Sequence, residues 1–174
     1  MTRRHTPVAA AIVATGLILA PVPADAIMSG EESRLAPSSD ADYAAGKEAF
    51  ERKDWPAVIG NLTLVILCRP WHDNAHSMLG FAWRKLGSYD RSFEHYRAAL
   101  ALNPRHRGAL EYLGEAYLEL GRPEEARVTL LRLAEVCNHV VMAFDNTGWK
   151  SGCEELEDLE AAFAEHGVAL PGGS

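Results

Sequence analysis

Gly46, Gly80 and Gly114 recur at one fixed spacing, and much of the sequence around them repeats in the same register. Trp55 and Tyr89 share one position, Gly87 and Gly121 a second, Pro70 and Pro104 a third. A period of about 34 residues belongs to stacked helix pairs, in which each unit buries its apolar face only against its neighbours. The register predicts an extended surface rather than a catalytic pocket.

The residue types suit a helical hairpin. The middle copy carries Leu79-Gly80, Trp83, Gly87, Tyr89, Ser92, Tyr96, Ala99 and Pro104; the third answers with Leu113-Gly114, Tyr117, Gly121, Pro123, Ala126 and Leu130. Glycine inside a helix costs roughly 1 kcal/mol relative to alanine, so its recurrence at one position predicts a neighbouring helix too close for a side chain. Gly87 and Gly121 fall where the first helix of each pair must stop. Asp54 and Ser88 are placed to cap the second helices, Pro56 and Pro123 fit their first turn, and Pro70 and Pro104 lie where they end.

The runs Gly80 to Pro104 and Leu113 to Ala126 resemble the tetratricopeptide repeat (TPR). The resemblance covers residues 40–138 as three copies. The first is the most divergent: it keeps Ala45-Gly46, Ala49, Trp55, Val58 and Pro70 but has Asp42 where a bulky residue is usual. It implies an all-α solenoid of three helix pairs and a non-catalytic role in binding a protein or peptide, because such arrays share a fold and differ in partner. In this family the first helix of each pair lines a concave groove. Transferring those positions selects Tyr43, Lys47 and Phe50, then Asn74, Ser77, Phe81, Arg84 and Lys85, then Glu111, Glu115 and Leu118. Phe81 reads as an apolar anchor, with Arg84 and Lys85 as free charges outside the core. Glu111, Glu115 and Glu119 share one helix face and make that end acidic. The lysine and asparagine pattern that clamps C-terminal carboxylates in some members is not reproduced.

The front of the chain reads as a secretory signal. Arg3 and Arg4 precede an apolar stretch from Val8 to Ala20, and Ala24-Asp25-Ala26 forms a small-x-small cleavage site. The stretch is shorter than the roughly 20 residues of a spanning helix, so no stable membrane insertion is expected after cleavage of residues 1–26. That cleavage leaves 15 basic against 23 acidic residues, net −8, which disfavours nucleic acid as a partner. Residues 27–39 show no period and read as a flexible leader. The expected location is periplasmic or secreted, and the expected partner another exported protein or peptide.

Export makes Cys68, Cys137 and Cys153 informative. One pair and one leftover is the simplest arithmetic. Cys137 ends the last repeat helix, and Cys153 precedes an amphipathic helix expected from Glu154 to His166, whose stripe of Leu156, Leu159 and Phe163 suits it to cover the final repeat. A Cys137–Cys153 bridge would pin that cap and contribute about 3 kcal/mol by the chain-entropy relation. Cys68 would then be free and largely buried. Small secreted TPR proteins of Gram-negative bacteria resemble this chain in ending with a cysteine pair and a Gly-Cys-Glu-Glu run, here Gly152 to Glu155, although the segment between the cysteines is longer here.

Residues 139–152 escape the repeat and read as a loop, with Val140, Phe144 and Trp149 either packed on the array or, for Trp149, contacting a partner. Cys68-x3-His72-x3-His76 has a metal-compatible spacing, and Cys137, His139 and Cys153 form the basis of an alternative reading as a metal or redox accessory protein. His76 stands at a position that packs between helices, His72 in a turn, and Cys137 in the expected bridge. Gly148-Trp149-Lys150-Ser151 lacks the upstream glycine and strand of a phosphate loop. No nucleophile–base pattern or haem-attachment motif is recognisable, so neither catalysis nor a cofactor is expected.

Overall fold

A computed structural model describes residues 39–138, 143–145, 148–150 and 153–171. Three antiparallel helix pairs follow one another: α1 (Ser39–Glu51) with α2 (Trp55–Cys68), α3 (Asp73–Lys85) with α4 (Tyr89–Leu102), and α5 (Arg107–Glu119) with α6 (Pro123–Asn138). A final helix, α7 (Glu154–Glu165), packs on α5 and α6. The architecture is all-α and solenoidal, as the recurrent glycine register requires.

The helices stop and start for local chemical reasons that repeat with the same period. Gly87 and Gly121 adopt φ of +74° and +66°, and each closes its helix by the paired bonds of a Schellman motif: Ser88 N–H to Trp83 C=O at 2.9 Å, Arg122 N–H to Tyr117 C=O at 2.8 Å. The first repeat makes the same turn without glycine, through Lys53 at φ +58°. Asp54 caps α2 by accepting from Ala57 N–H at 3.2 Å, with Pro56 in the first turn. Ser88 holds the corresponding place before α4, but its hydroxyl makes no capping bond. The first helices of the second and third pairs are capped instead by His72 and His106, one repeat apart, whose Nδ1 atoms accept from Ala75 and Ala109 N–H, each at 3.2 Å. The metal-like spacing of His72 and His76 is thereby accounted for, because His76 bonds the Pro70 carbonyl through Nε2 at 3.0 Å and His95 through Nδ1 at 3.1 Å.

The recurrent glycines mark close approach. A Cβ on Gly80 would lie 2.5 Å from the buried Tyr96 ring, and one on Gly46 would collide with Leu62, in each case on the second helix of the same pair. On Gly114 the collision is with Leu159 of α7. Leu159 and Phe163 are fully buried, so α7 covers apolar surface at the end of the third repeat.

Cys137 and Cys153 form a disulfide with Cα atoms 5.7 Å apart. Cys68 is free but exposed, contrary to the burial expected of it. It occupies the outward side of the last turn of α2, where Leu67 and Trp71 are also exposed, at 72% and 67%. Between the two cysteines the described residues form β1 (Ala143–Asp145) and β2 (Gly148–Lys150), which pair antiparallel with Phe144 opposite Trp149. The packing of Val140, Phe144 and Trp149 lies outside the described residues and side chains, as do the signal and leader at 1–38. The cap ends at Glu165, one residue before His166, which serves as its C-cap. Among the described residues no helix is long and apolar enough to cross a membrane.

Candidate functional site

The face formed by α1, α3 and α5 carries a diagonal line of aromatic rings. Phe50 of α1, Phe81 of α3 and Tyr112 of α5 are evenly spaced at three positions short of the repeat, so each sits nearly one turn closer to the start of its helix than the one before. Their rings touch in sequence, with centroids 4.9 Å apart for Phe50–Phe81 and 4.6 Å for Phe81–Tyr112. Trp55, at the start of α2, closes the first contact at 5.6 Å from Phe50 and 5.5 Å from Phe81. All four rings are half-buried. Edge-on and tilted contacts at these separations are the favoured aromatic geometries, worth about 0.5–1.5 kcal/mol each beyond area burial.

Charge is arranged around this ladder differently from the sequence expectation. Arg84 is not a free charge but keeps only 3% of its surface exposed. Its guanidinium pairs with Glu115 and, at 3.4 Å, with Glu119 of α5, and lies 4.9 Å over Phe81 and 5.9 Å from Tyr112. Burial works against its charge, but Tyr96, Glu115 and Glu119 outweigh that cost and hold its pKa above the ordinary arginine value. The basic middle and acidic end of the groove therefore partly neutralise each other across one helix interface. Lys85 remains exposed, its ammonium 5.0 Å over Phe81.

The other residues chosen from the sequence divide in the same way. Ser77 (2% exposed), Glu111 (8%) and Leu118 (4%) are buried and are not open contact positions. Tyr43 is half-buried with its ring 4.5 Å from that of His72, and Lys47 is exposed beside Glu48 and Glu51 on α1. Asn74 is exposed and lines a polar cleft with Asn103, His106 and Glu155, away from the ladder. Glu115 is half-buried by its pairing with Arg84.

Three participants escape the sequence reading. Tyr112 has no aromatic counterpart at its repeat equivalents, Met78 and Ala44, and only the diagonal through Phe50 and Phe81 points to it. Trp55 reads in the sequence as a fold residue alone. Glu119 reads as one of three solvated carboxylates, whereas it accepts from both Arg84 and the Tyr89 hydroxyl, the latter at 3.1 Å. Among the described residues no group of three or more His, Cys, Asp or Glu side chains is arranged to hold a metal ion. Of the alternative metal or redox set, Cys137 and Cys153 are bonded to each other, and His139 lies outside the described residues.

Residues 78–138 match the family model described as tetratricopeptide repeat. Among solved structures, the chain is similar to the TPR2B domain of yeast Sti1 in its pHsp70 complex, with 22% identity, a TM-score of 0.61, and coverage of 73% of this chain and 96% of that one. The Sgt2 TPR domain from Aspergillus fumigatus is similar at 19% identity and a TM-score of 0.60, over 79% and 88% of the two chains. MamA aligns at 25% identity and a TM-score of 0.55, covering 58% and 59%. No curated protein matches the sequence.

Proposed function

We propose that this chain, a tetratricopeptide-repeat protein, is a non-catalytic scaffold that holds an extended peptide or a helix of another exported protein against the face of α1, α3 and α5. The observation that carries the reading is the ladder of Phe50, Trp55, Phe81 and Tyr112: four half-buried rings in continuous contact, with the exposed ammonium of Lys85 above the central one. Aromatic surface of this kind, rigid and amphipathic, is what interaction hot spots are made from. The TPR architecture supports the coarser role of protein-interaction scaffold. The signal-like front of the chain supports an exported partner, met in the periplasm or outside the cell.

The test is site-specific photo-crosslinking in the exporting cell. A crosslinker at Lys85 should trap a partner, and one at Arg97, an exposed residue of α4 whose Nε donates to the Phe93 carbonyl at 3.1 Å, should not. Phe81→Ala should weaken the trapped complex by about tenfold, the loss of roughly 1–3 kcal/mol of an aromatic contact. Capture from Arg97 with none from Lys85 would move the partner to the convex side and overturn the reading.

A further inference from the structure

Away from the ladder, a polar cleft of about 270 Å³ is lined by the first turns of α3, α5 and α7 and by the turn that leads into α5. Its formal charges balance, since Arg105 and Arg107 share it with Asp73 and Glu155, but its hydrogen-bonding capacity does not. Asp73 accepts from the Asn103 amide at 2.8 Å and from Asn74 N–H at 2.9 Å, and Glu155 is paired with Arg107 at 3.3 Å. Asn103 Oδ1 in turn accepts from Arg105 N–H at 3.1 Å. The carboxylates and the Asn103 oxygen therefore have donors already.

The donors of the cleft lack acceptors. His106 Nδ1 accepts from Ala109 N–H at 3.2 Å, so the neutral ring carries its proton on Nε2, and that buried N–H has no partner. Gly108 lies in the first turn of α5, where a backbone N–H has no acceptor within its own helix and the helix dipole is positive. Arg105 is exposed, and one nitrogen of its guanidinium reaches the Val136 carbonyl at the long distance of 3.4 Å. A buried donor without an acceptor is destabilising, and an oxygen supplied from outside removes that penalty.

We propose that this cleft is a binding site for a carboxylate group, seated at the start of α5 between the Arg105 guanidinium and the Gly108 N–H, with the His106 imidazole beneath it. The site is independent of the groove reading. The cleft is smaller than the roughly 300–1,000 Å³ of pockets that hold whole cofactors, which suits it to a group of this size. One negative charge fits better than the double charge of a phosphate, because Asp73 and Glu155 line the same cleft. Asp73 stays ionised there: burial works against its charge, but the bonds from Asn103 and Asn74 outweigh it and hold its pKa below the ordinary aspartate value. A free small acid and an acidic side chain of a polypeptide present the same two oxygens, and the experiment separates them.

The probes are acetate, its uncharged counterpart acetamide, and inorganic phosphate, each titrated into the purified chain and followed by NMR. Acetate should move the Gly108 backbone amide resonance saturably, and acetamide should not. Burial holds the His106 pKa below the ordinary histidine value, against the opposing pull of Asp73 and Glu155, and saturating acetate should raise the proton affinity of the ring about tenfold. His106→Asn keeps an oxygen to cap α5 but removes the Nε2 donor, so it should weaken acetate about tenfold with the fold intact; Arg105→Gln should weaken it about threefold. Phe81→Ala should leave acetate binding unchanged, so failure of the groove and failure of the cleft are told apart. An acetylated, amidated pentapeptide with a central aspartate that binds about tenfold more tightly than acetate, with its asparagine counterpart silent, assigns the site to a polypeptide side chain. Acetate binding without that preference assigns it to a free small acid. Equal shifts with acetate and acetamide, an unmoved His106 titration at saturating acetate, tighter binding of phosphate than of acetate, or full acetate binding by His106→Asn would overturn the site.

Discussion

Leu159 of α7 stands where a side chain on Gly114 of α5 would have to go: a Cβ there would lie 2.7 Å from both of its methyl carbons. In the first two repeats the same glycine position is filled by the second helix of its own pair, through Leu62 and Tyr96. The cap therefore inserts into a slot that belongs to the repeat, which is why one apolar stripe on a short helix suffices to close the array.

Alanine at these glycines sets a helix-propensity gain of about 1 kcal/mol against an overpacking cost of about 1–3 kcal/mol. Gly80→Ala meets a buried aromatic ring that cannot fold away, so a net loss of about 1–2 kcal/mol is expected in urea denaturation. Gly114→Ala meets the ends of a leucine and should cost less. Its cost should also be coupled to Leu159→Ala, so strictly additive effects in the double variant would contradict the slot.

Arg84→Ala should destabilise the chain by about 3–5 kcal/mol, because it strands Glu115 and Glu119 and uncovers Phe81 and Tyr112. Arg84→Met should lose less, since it restores packing over the rings. Lys85→Glu should leave the midpoint nearly unchanged. Equal effects of Arg84→Ala and Lys85→Ala on thermal unfolding would show that the buried pairing carries no stability.

Lys53 makes at φ +58° the turn that Gly87 and Gly121 make in the later repeats. A left-handed conformation costs a residue with a side chain about 1–2 kcal/mol, so Lys53→Gly should raise stability by up to about 1 kcal/mol once the added freedom of the unfolded chain is allowed for. Gly87→Ala should do the reverse. Chemical denaturation of the two variants measures both signs.

The cysteines separate by access. In the native oxidised protein a thiol reagent should modify one cysteine rapidly, the exposed Cys68, and peptide mapping should find Cys137 and Cys153 joined. Reduction should lower stability by about 3 kcal/mol on the chain-entropy relation, with amide exchange rising first in α7. Slow labelling of Cys68 would restore the buried environment expected from sequence.

Stability should change with pH in two opposed windows. Glu111, raised from 4.5 to about 8, keeps a proton in the folded state that the unfolded chain has released, so the stability it contributes at low pH is lost as pH rises towards 8. His95, lowered from 6.5 to about 4 by burial and then by the charge of His76, refuses a proton that the unfolded chain accepts, so its contribution is lost as pH falls from 6.5 towards 4. Above 6.5 only the Glu111 effect operates of the two. The thermal midpoint should fall between pH 6.5 and 8, and Glu111→Gln should flatten that fall.

The repeat, its turns and the cap are legible in the sequence because they depend on local chemistry. Gly87 and Gly121 stop helices by backbone conformation, Asp54 and Pro56 start one by hydrogen bonding and fixed φ, and the stripe of Leu156, Leu159 and Phe163 states its own helical period. What only tertiary structure decides is how side chains at equivalent positions are spent. Arg84 and Lys85 are neighbours of like charge in sequence, yet α5 brings two carboxylates and an aromatic ring to one and leaves the other in solvent. Glu111 reads as part of a solvated face, and α7 closes over it. The aromatic ladder steps by three positions fewer than the repeat, so its contact line runs diagonally across the sequence register, which only the packed helices reveal. Conformation is set by nearest neighbours in the chain, whereas burial and pairing are set by which helix arrives next, and that is a property of the packed array.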